Sequence, residues 1–444
     1  MEKYNVLPET NAYRRLQMLF GKENFIELEP FVESNNGYAE VRTAFGYINN
    51  IPVYAFSQDM QRNSGAISTF QCSKICKLYD LAAKTGFPIV GIYDSLGANL
   101  SEGINMLNSY SELLFNVNRL SGVVLQISIV VGNCFGASSL IASSADFLIM
   151  TDNAYLGIDT SGENSSSEFV KNSGISHINV TNCEEAINSA IKLISILPSN
   201  NLSQTPLEEL KSSYDIDIKK GDKFSKADTI ISIFDDSEFF EIQMDYGYAA
   251  KIGFARFEGR SVGVIISIKE LLDKQSCDKI TRFVRFCDAF SIPLITFIDS
   301  NEFESLKEAA KVANVYSDAT NVKITIITGE VYGTLYIALA GKGTNSDVTY
   351  AWEEAFISSL KPETEAEIVC SDELKSMKEP FKDRKKIVSG YKKSHLSAVN
   401  AAKLGFIDDI ISIEDTRIKI CYSLEMLSQK RMNRIPRKHS NIQI

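Results

Sequence analysis

A chain of 444 residues is too long for one ordinary hydrophobic core, so two domains are expected. Apolar residues at 44% and charged residues at 23% suit a globular enzyme, whereas a net charge of −10 speaks against a nucleic-acid binder, which would carry a basic face. The longest apolar runs, around 123–131 and 262–266, are too short to span a bilayer, and the opening MEKYNVLPETNAYRRLQ has neither an h-region nor a cleavage site, so a cytoplasmic protein is expected.

In chain order, residues 12–30 predict an amphipathic helix, a stop at Gly21 and a short strand at 25–28. Strand-like runs at 39–45 and 53–56 flank the turn Tyr47-Ile48-Asn49-Asn50. Residues 72–85 read as a helix with Ile75, Leu78, Tyr79 and Ala82 on one face, stopped by Gly86-Phe87-Pro88. The strand 89–93 then ends at Asp94-Ser95-Leu96-Gly97-Ala98, and Ile104, Leu107, Tyr110, Leu114 and Val117 trace a further helix stripe. Next comes a buried strand, 123–131, rich in β-branched residues. A tight turn, Gly132-Asn133-Cys134-Phe135, leads to a small-residue helix at Gly136-Ala137-Ser138-Ser139. Segment 161–174, with serines at 165–167, reads as a polar surface loop. Residues 183–197 form a helix closed by Pro198-Ser199-Asn200-Asn201, and the charged segment 202–226, with Pro206, is the expected linker.

The second half repeats this order. Ile280, Phe283, Val284 and Cys287 give a helix face; Pro293 opens a strand reaching Asp299-Ser300, as Pro88 opens one reaching Asp94-Ser95. Strand 322–327 feeds Gly329-Glu330-Val331-Tyr332-Gly333-Thr334, and its glycines stand four apart, as Gly132 and Gly136 do. Matching helix, strand, turn and spacing imply an internal duplication of α/β modules, 1–208 and 209–444.

A strand whose glycine turn feeds a helix start points unpaired N–H groups at one spot, made positive further by the helix dipole. Such a spot can hold a phosphate or a reaction oxyanion; equally, the glycine can serve only to bring helix and sheet together. The eight cysteines show no CxxC spacing, and His177, His395 and His439 are scattered, so structural thiols in a reducing compartment and no metal site are expected.

Many ordered pieces resemble the carboxyltransferase family of biotin-dependent enzymes, which includes acyl-CoA carboxylase β subunits and decarboxylase α subunits. They include Ser121-Gly122-Val123-Val124, Gln126-Ile127-Ser128, Ala145-Asp146-Phe147 and Leu197-Pro198-Ser199-Asn200-Asn201. Gly253-Phe254-Ala255-Arg256, 285–290 (RFCDAF), Tyr350-Ala351-Trp352, 405–409 (GFIDD) and 437–442 (RKHSNI) continue the match. The resemblance implies tandem crotonase-like (ClpP/crotonase) β-β-α superhelix modules. It also implies carboxyl transfer between biotin and a small acyl-CoA. In that chemistry biotin carries the carboxyl group and takes the α-proton, so the protein supplies N–H donors rather than a base. By position, Gly136 and Ala137 face the thioester enolate, Thr334 and Leu335 the biotin ureido oxygen, with Gly97, Ala98, Gly132, Tyr332 and Gly333 lining the two binding sites. Ser376-Met377-Lys378 lacks the flanks of a biotinylation motif, which implies a separate biotin carboxyl carrier protein. A biotin carboxylase or membrane decarboxylase subunit is the further implied partner. Active sites between the N-module of one subunit and the C-module of another imply a dimer-based hexamer.

This chain departs from the family at those sites. Ala137 replaces a glycine, Leu96 and Asn99 replace a glycine and a basic residue, and Thr334-Leu335 stand where the family has Gly-Ala. The family's Asp-x-Pro-Gly-Phe is Asp299-Ser300-Asn301-Glu302-Phe303. The expectation is that Ala137 narrows its pocket by a methyl, and that Thr334 and Leu335, ill suited to positive φ, crowd the biotin side. An active subunit and a non-catalytic or regulatory paralogue assembling with an active partner both fit this pattern. A hydrolase or isomerase would need an acid or base, for which Glu102, Glu112 and Glu163 are nearest in sequence. The basic tail 430–438 reads as a solvated segment or a contact for CoA phosphates or a partner, and Trp352 as a core or interface residue.

Overall fold

The computed structural model describes residues 9–34, 37–159, 164–208, 218, 219, 221, 223–268, 271–344, 346–371, 380–432 and 435–441. Two compact units emerge: Met1–Pro206 with Gln243–Tyr246, and Leu207–Ile242 with Gly247–Ile444. Within the expected linker, residues 209–217, 220 and 222 lie outside the described residues, while Leu207 already bridges Arg260 of its own unit.

The first unit centres on an eight-stranded sheet. Phe25–Leu28, Val41–Ile48 and Ile51–Gln58 form its antiparallel end, and Ile89–Ser95, Gln126–Phe135, Phe147–Thr151 and Ile178–Val180 continue it in parallel. The hairpin turn uses Asn49 and Asn50 at φ 48° and 65°, the left-handed pair that matches the twist of the strands it joins. Strand Ile89–Ser95 is buried throughout, as a parallel strand covered on both faces must be. Helix Thr69–Thr85 starts where Ser68 Oγ accepts the Gln71 N–H and stops at Gly86 in the left-handed region.

The second unit follows the same plan in a seven-stranded sheet. Phe240–Ile242, Ala250–Phe257 and Arg260–Ser267 are antiparallel; Leu294–Ile298, Lys323–Ile327, Val348–Trp352 and Asp409–Ile411 then run parallel. Its core gathers Phe234, Phe257, Phe297 and Trp352. Trp352 is buried and its Nε1–H donates to Thr416 Oγ1 at 3.0 Å, which makes it a core residue. In the tail, Lys430 is tied to Asp347 and Arg437 to Asp318; Asn433 and Arg434 lie outside the described residues.

Three expectations are corrected. The helix Asn105–Arg119 buries Met106, Tyr110, Leu113 and Val117, whereas Ile104 and Leu107 are 80% and 66% exposed. Ile104 is the residue capping the helix rather than part of it, so the stripe holds at Tyr110 and Val117 but its first turn is carried by Met106 instead of Ile104 and Leu107. Residues 132–135 are strand, not turn, because Asn133–Phe135 pair with Tyr155–Gly157. In the expected surface loop, 160–163 lie outside the described residues, but Ser165 is buried and Ser166 caps the helix Ser167–Asn172. All eight cysteines are free thiols, and among the described residues no helix is long and apolar enough to cross a membrane.

Candidate active site

Each unit contains a glycine elbow over a parallel sheet. In the first, Gln126–Val130 lie in the main sheet; the register against Ile89–Ser95 then shifts, and the strand swings away to pair with Tyr155–Gly157. Gly132 sits in that shift, where any Cβ would overlap Asp94 Oδ1. Asp94 is buried, and its Oδ2 accepts from Arg15 Nη2 at 2.7 Å. Arg15 also donates to the Gln58 carbonyl, and Gln58 Oε1 accepts the Asp94 N–H. The carboxylate is thus clamped between a cation and a glycine.

The strand ends at Gly136, at φ +63°, which caps the helix Ala137–Ser143. The Gly136 N–H donates to Gly157 O at 3.0 Å, and Gly136 O accepts from Ser139 N–H and Oγ. The donors at this elbow therefore begin at Ala137: among the described residues no acceptor meets the Ala137 or Ser138 N–H. Ala137 is half-buried and packs against the hydrophobic core. The 94–99 loop comes to this elbow too. A Cβ added at Gly97, at φ +111°, would stand 3.4 Å from Phe135 O; Ser95 Oγ accepts the Gly97 N–H, and the Gly97 carbonyl accepts from Ile67. Ala98 bridges Ile67, Leu96 points to solvent, and Asn99 spends its side chain on Ser101.

The second elbow repeats the plan with other partners. A Cβ at Gly329 would overlap Asp299 Oδ1. That oxygen accepts the Glu330 N–H at 2.9 Å, and Asp299 Oδ2 pairs with Lys226 Nζ, which also donates to Thr328 O at 3.1 Å. Strand Glu330–Tyr332 pairs with Phe356–Ser358 and runs into Gly333, at φ +41°, where the helix Gly333–Leu339 opens. A Cβ at Gly333 would stand 2.8 Å from Ser359 O. Left-handed φ falls on Gly136 and Gly333 alone in these elbows; Ala137, Thr334 and Leu335 do not need it. Leu335 is fully buried in its own unit and Thr334 is exposed. Among the described residues neither the Thr334 nor the Leu335 N–H meets an acceptor.

Charged groups brace this second elbow. Tyr332, nearly buried, donates its Oη to Glu330, which also pairs with Lys392; the Lys392 ammonium lies 4.4 Å over the Phe356 ring. Glu365 accepts from Ser358 Oγ, the Ser359 and Leu360 N–H groups, and Tyr391 Oη at 3.0 Å. Burial pushes the Glu365 carboxyl up, and those donated bonds together outweigh it, holding it below the usual carboxylate range. Burial, with Glu365 beside it, pushes Tyr391 up to about 12.

Of the candidate acids, the two that are described stand apart from both elbows. Glu102 Oε2 accepts from the Thr69 N–H and hydroxyl, Glu112 is exposed on a helix, and Glu163 lies outside the described residues. Arg15, Lys226, Lys392 and Glu365 escaped sequence reading, although the matched aspartates six residues after each proline marked where two of their partners would lie.

Paired elbows that offer unpartnered N–H groups can stabilise developing oxyanions. Residues 9–442 match the carboxyl transferase domain model, and the chain belongs to that family. It is 32% identical to methylmalonyl-CoA decarboxylase subunit alpha of Veillonella parvula, covering 100% of this chain and 94% of that one. It is likewise 32% identical to the mitochondrial propionyl-CoA carboxylase beta chain of Rattus norvegicus, covering 97% and 87%. A crystal structure of transcarboxylase 12S, with methylmalonyl-coenzyme A and methylmalonic acid bound, matches with a TM-score of 0.89 at 31% identity, covering 98% of this chain and 92% of that one. The fold is accordingly the tandem crotonase-type α/β fold that the resemblance implied.

Proposed function

We propose that this chain is an active carboxyltransferase subunit that moves a carboxyl group between biotin, held on a separate carrier protein, and a small acyl-CoA. In this reading the Ala137 N–H, with Ser138 next to it, faces the thioester oxygen as it becomes an enolate, and the Thr334 and Leu335 N–H groups face the ureido oxygen of biotin. Gly136 supplies the bend rather than a donor, because its N–H is committed to Gly157.

The observation that carries the reading is where the substituted side chains go. Leu335 is buried, Ala137 packs half-buried against the core, the two positions that require positive φ are still glycine, and the donors stay open. Residues present at the second elbow therefore fit biotin, which when bound supplies the carboxyl carrier and the base for the α-proton. The chain itself needs no acid or base at either elbow; it orients two substrates and holds charge on oxygen, each donor contributing about 3 kcal/mol to the barrier.

By analogy with transcarboxylase 12S, whose crystal structure describes a hexamer assembly, a hexamer is proposed here. The proposed partners are a biotin carboxyl carrier protein and either a biotin carboxylase or a membrane decarboxylase subunit, in the cytoplasm. The test is loss of the carboxyl group from methylmalonyl-CoA or malonyl-CoA in the presence of free biotin. Turnover is expected from the natural chain and about a 100-fold loss from Gly136→Val, which forces a β-branched residue into the left-handed region. One observation favours a non-catalytic subunit instead: Glu302–Phe303, in the loop that lacks the family's proline and glycine, is tied up pairing with Leu271–Leu272. A folded oligomer without turnover would establish that second reading.

A further inference from the structure

We propose that Lys226 and Asp299 form a positioning ion pair that sets the second elbow, and that Arg15 and Asp94 do the same for the first; the inference rests on the function proposed above. Neither pair belongs to the donor set. Both occupy the same place in their modules. In each, the aspartate stands at the C-terminal end of a parallel strand, one carboxylate oxygen packs on the Cα of a glycine four residues before the elbow glycine, and the other meets a cation. In each, the cation comes from the helix that precedes the module's first sheet strand: Asn11–Phe20 for Arg15 and Lys226–Ile231 for Lys226.

The second pair is the more directly coupled. Asp299 Oδ1 holds the Glu330 N–H, Lys226 holds Thr328 O, and Gly329 lies between them, so three consecutive residues are fixed from one side. Those residues lead through Glu330–Tyr332 into Gly333 and the free donors at Thr334 and Leu335. Displacing the carboxylate lets the entering strand drift, and with it the aim of both N–H groups. An oxyanion donor loses its value with small changes of aim, so a pair that touches no substrate still governs the rate. Lysine serves here because Nζ caps one carbonyl and one carboxylate at once.

The experiment compares Lys226→Met, Lys226→Arg and Asp299→Asn with Arg15→Met in the full chain. Hydrogen exchange of the peptide spanning 328–337 is followed beside the melting temperature and steady-state kinetics. Lys226→Met and Asp299→Asn are expected to speed exchange in 328–337 about tenfold or more while 132–139 is unchanged, and Lys226→Arg is expected to restore much of the protection. In turnover, the same two variants should cost about tenfold in kcat/KM for biotin with KM for acyl-CoA held, and Arg15→Met should reverse that preference. Exchange in 328–337 that matches the natural chain, or loosening spread evenly over the unit, would overturn the proposal. Absence of turnover in the natural chain would sink the functional reading alone, since the exchange measurement still decides whether the pair sets the elbow.

Discussion

At the first elbow the backbone is gripped by the protein interior. Gly136 N–H is closed onto Gly157, Ser139 folds back onto Gly136 O, and the Ala137 methyl sits on a core that includes Cys134 and Ile141. At the second elbow the same bend is gripped by charge. Lys226, Asp299, Glu330, Lys392 and Glu365 surround it, and three of the five side chains reach the backbone of 328–330 or 358–360 directly. One duplicated skeleton thus keeps an aspartate–cation pair in both copies, backed by backbone hydrogen bonds and core contacts in the first and by further charged groups in the second. The difference teaches that elbow geometry is the shared property, and that the forces holding it are free to diverge.

The largest expected effect comes from removing what the copies share. Gly329→Ala forces a methyl into Asp299, and repacking of this kind costs about 1–3 kcal/mol in stability. With the second elbow displaced, turnover should fall about 100-fold, measured beside a melting curve. Gly132→Ala should do the equivalent at the first; a harmless Gly132→Ala would break the comparison.

A mid-sized effect separates the copies by pH. Glu365 titrates lower folded than unfolded, so between those two values the unfolded chain holds more protons and stability rises with pH. Its contribution is full above the unfolded value of about 4.3 and disappears as pH falls through the folded one. The melting temperature of Glu365→Gln should therefore lie below that of the natural chain at neutral pH, and the gap should close in acid. A constant gap would mean that the hydrogen bonds hold without the charge.

The smallest effect is expected from Ala137→Gly, which restores the family residue. Because the methyl packs against the core, activity should change by less than about threefold, while a helix start without it loses roughly 0.5–1 kcal/mol. A large gain in turnover would show that the methyl does obstruct the donor.

Much of the frame was legible in the sequence because the signals were local. Buried β-branched runs, the Gly86 stop and the repeated four-residue glycine spacing each act within a few residues. What escaped was nonlocal. The 132–135 segment reads as a turn until Tyr155–Gly157 arrives to pair with it. Arg15 lies 79 residues from Asp94, and Lys226 lies 73 from Asp299, so neither partner can be found by spacing. Positive φ at Thr334 and Leu335, expected from the family's glycine motif, does not occur, because within the two elbows only Gly136 and Gly333 adopt it.

That last distinction reaches beyond this chain. A surface that recognises its ligand with main-chain amides exerts selection on torsion angles, and side chains that can be tucked inward are invisible to it. Under the proposed function, drift at Ala137 and Leu335 leaves the chemistry intact, and a signature that demands glycine throughout such an elbow would discard a working member. One that demands it only at the two left-handed positions would keep this chain in and still reject a Gly333→Val homologue.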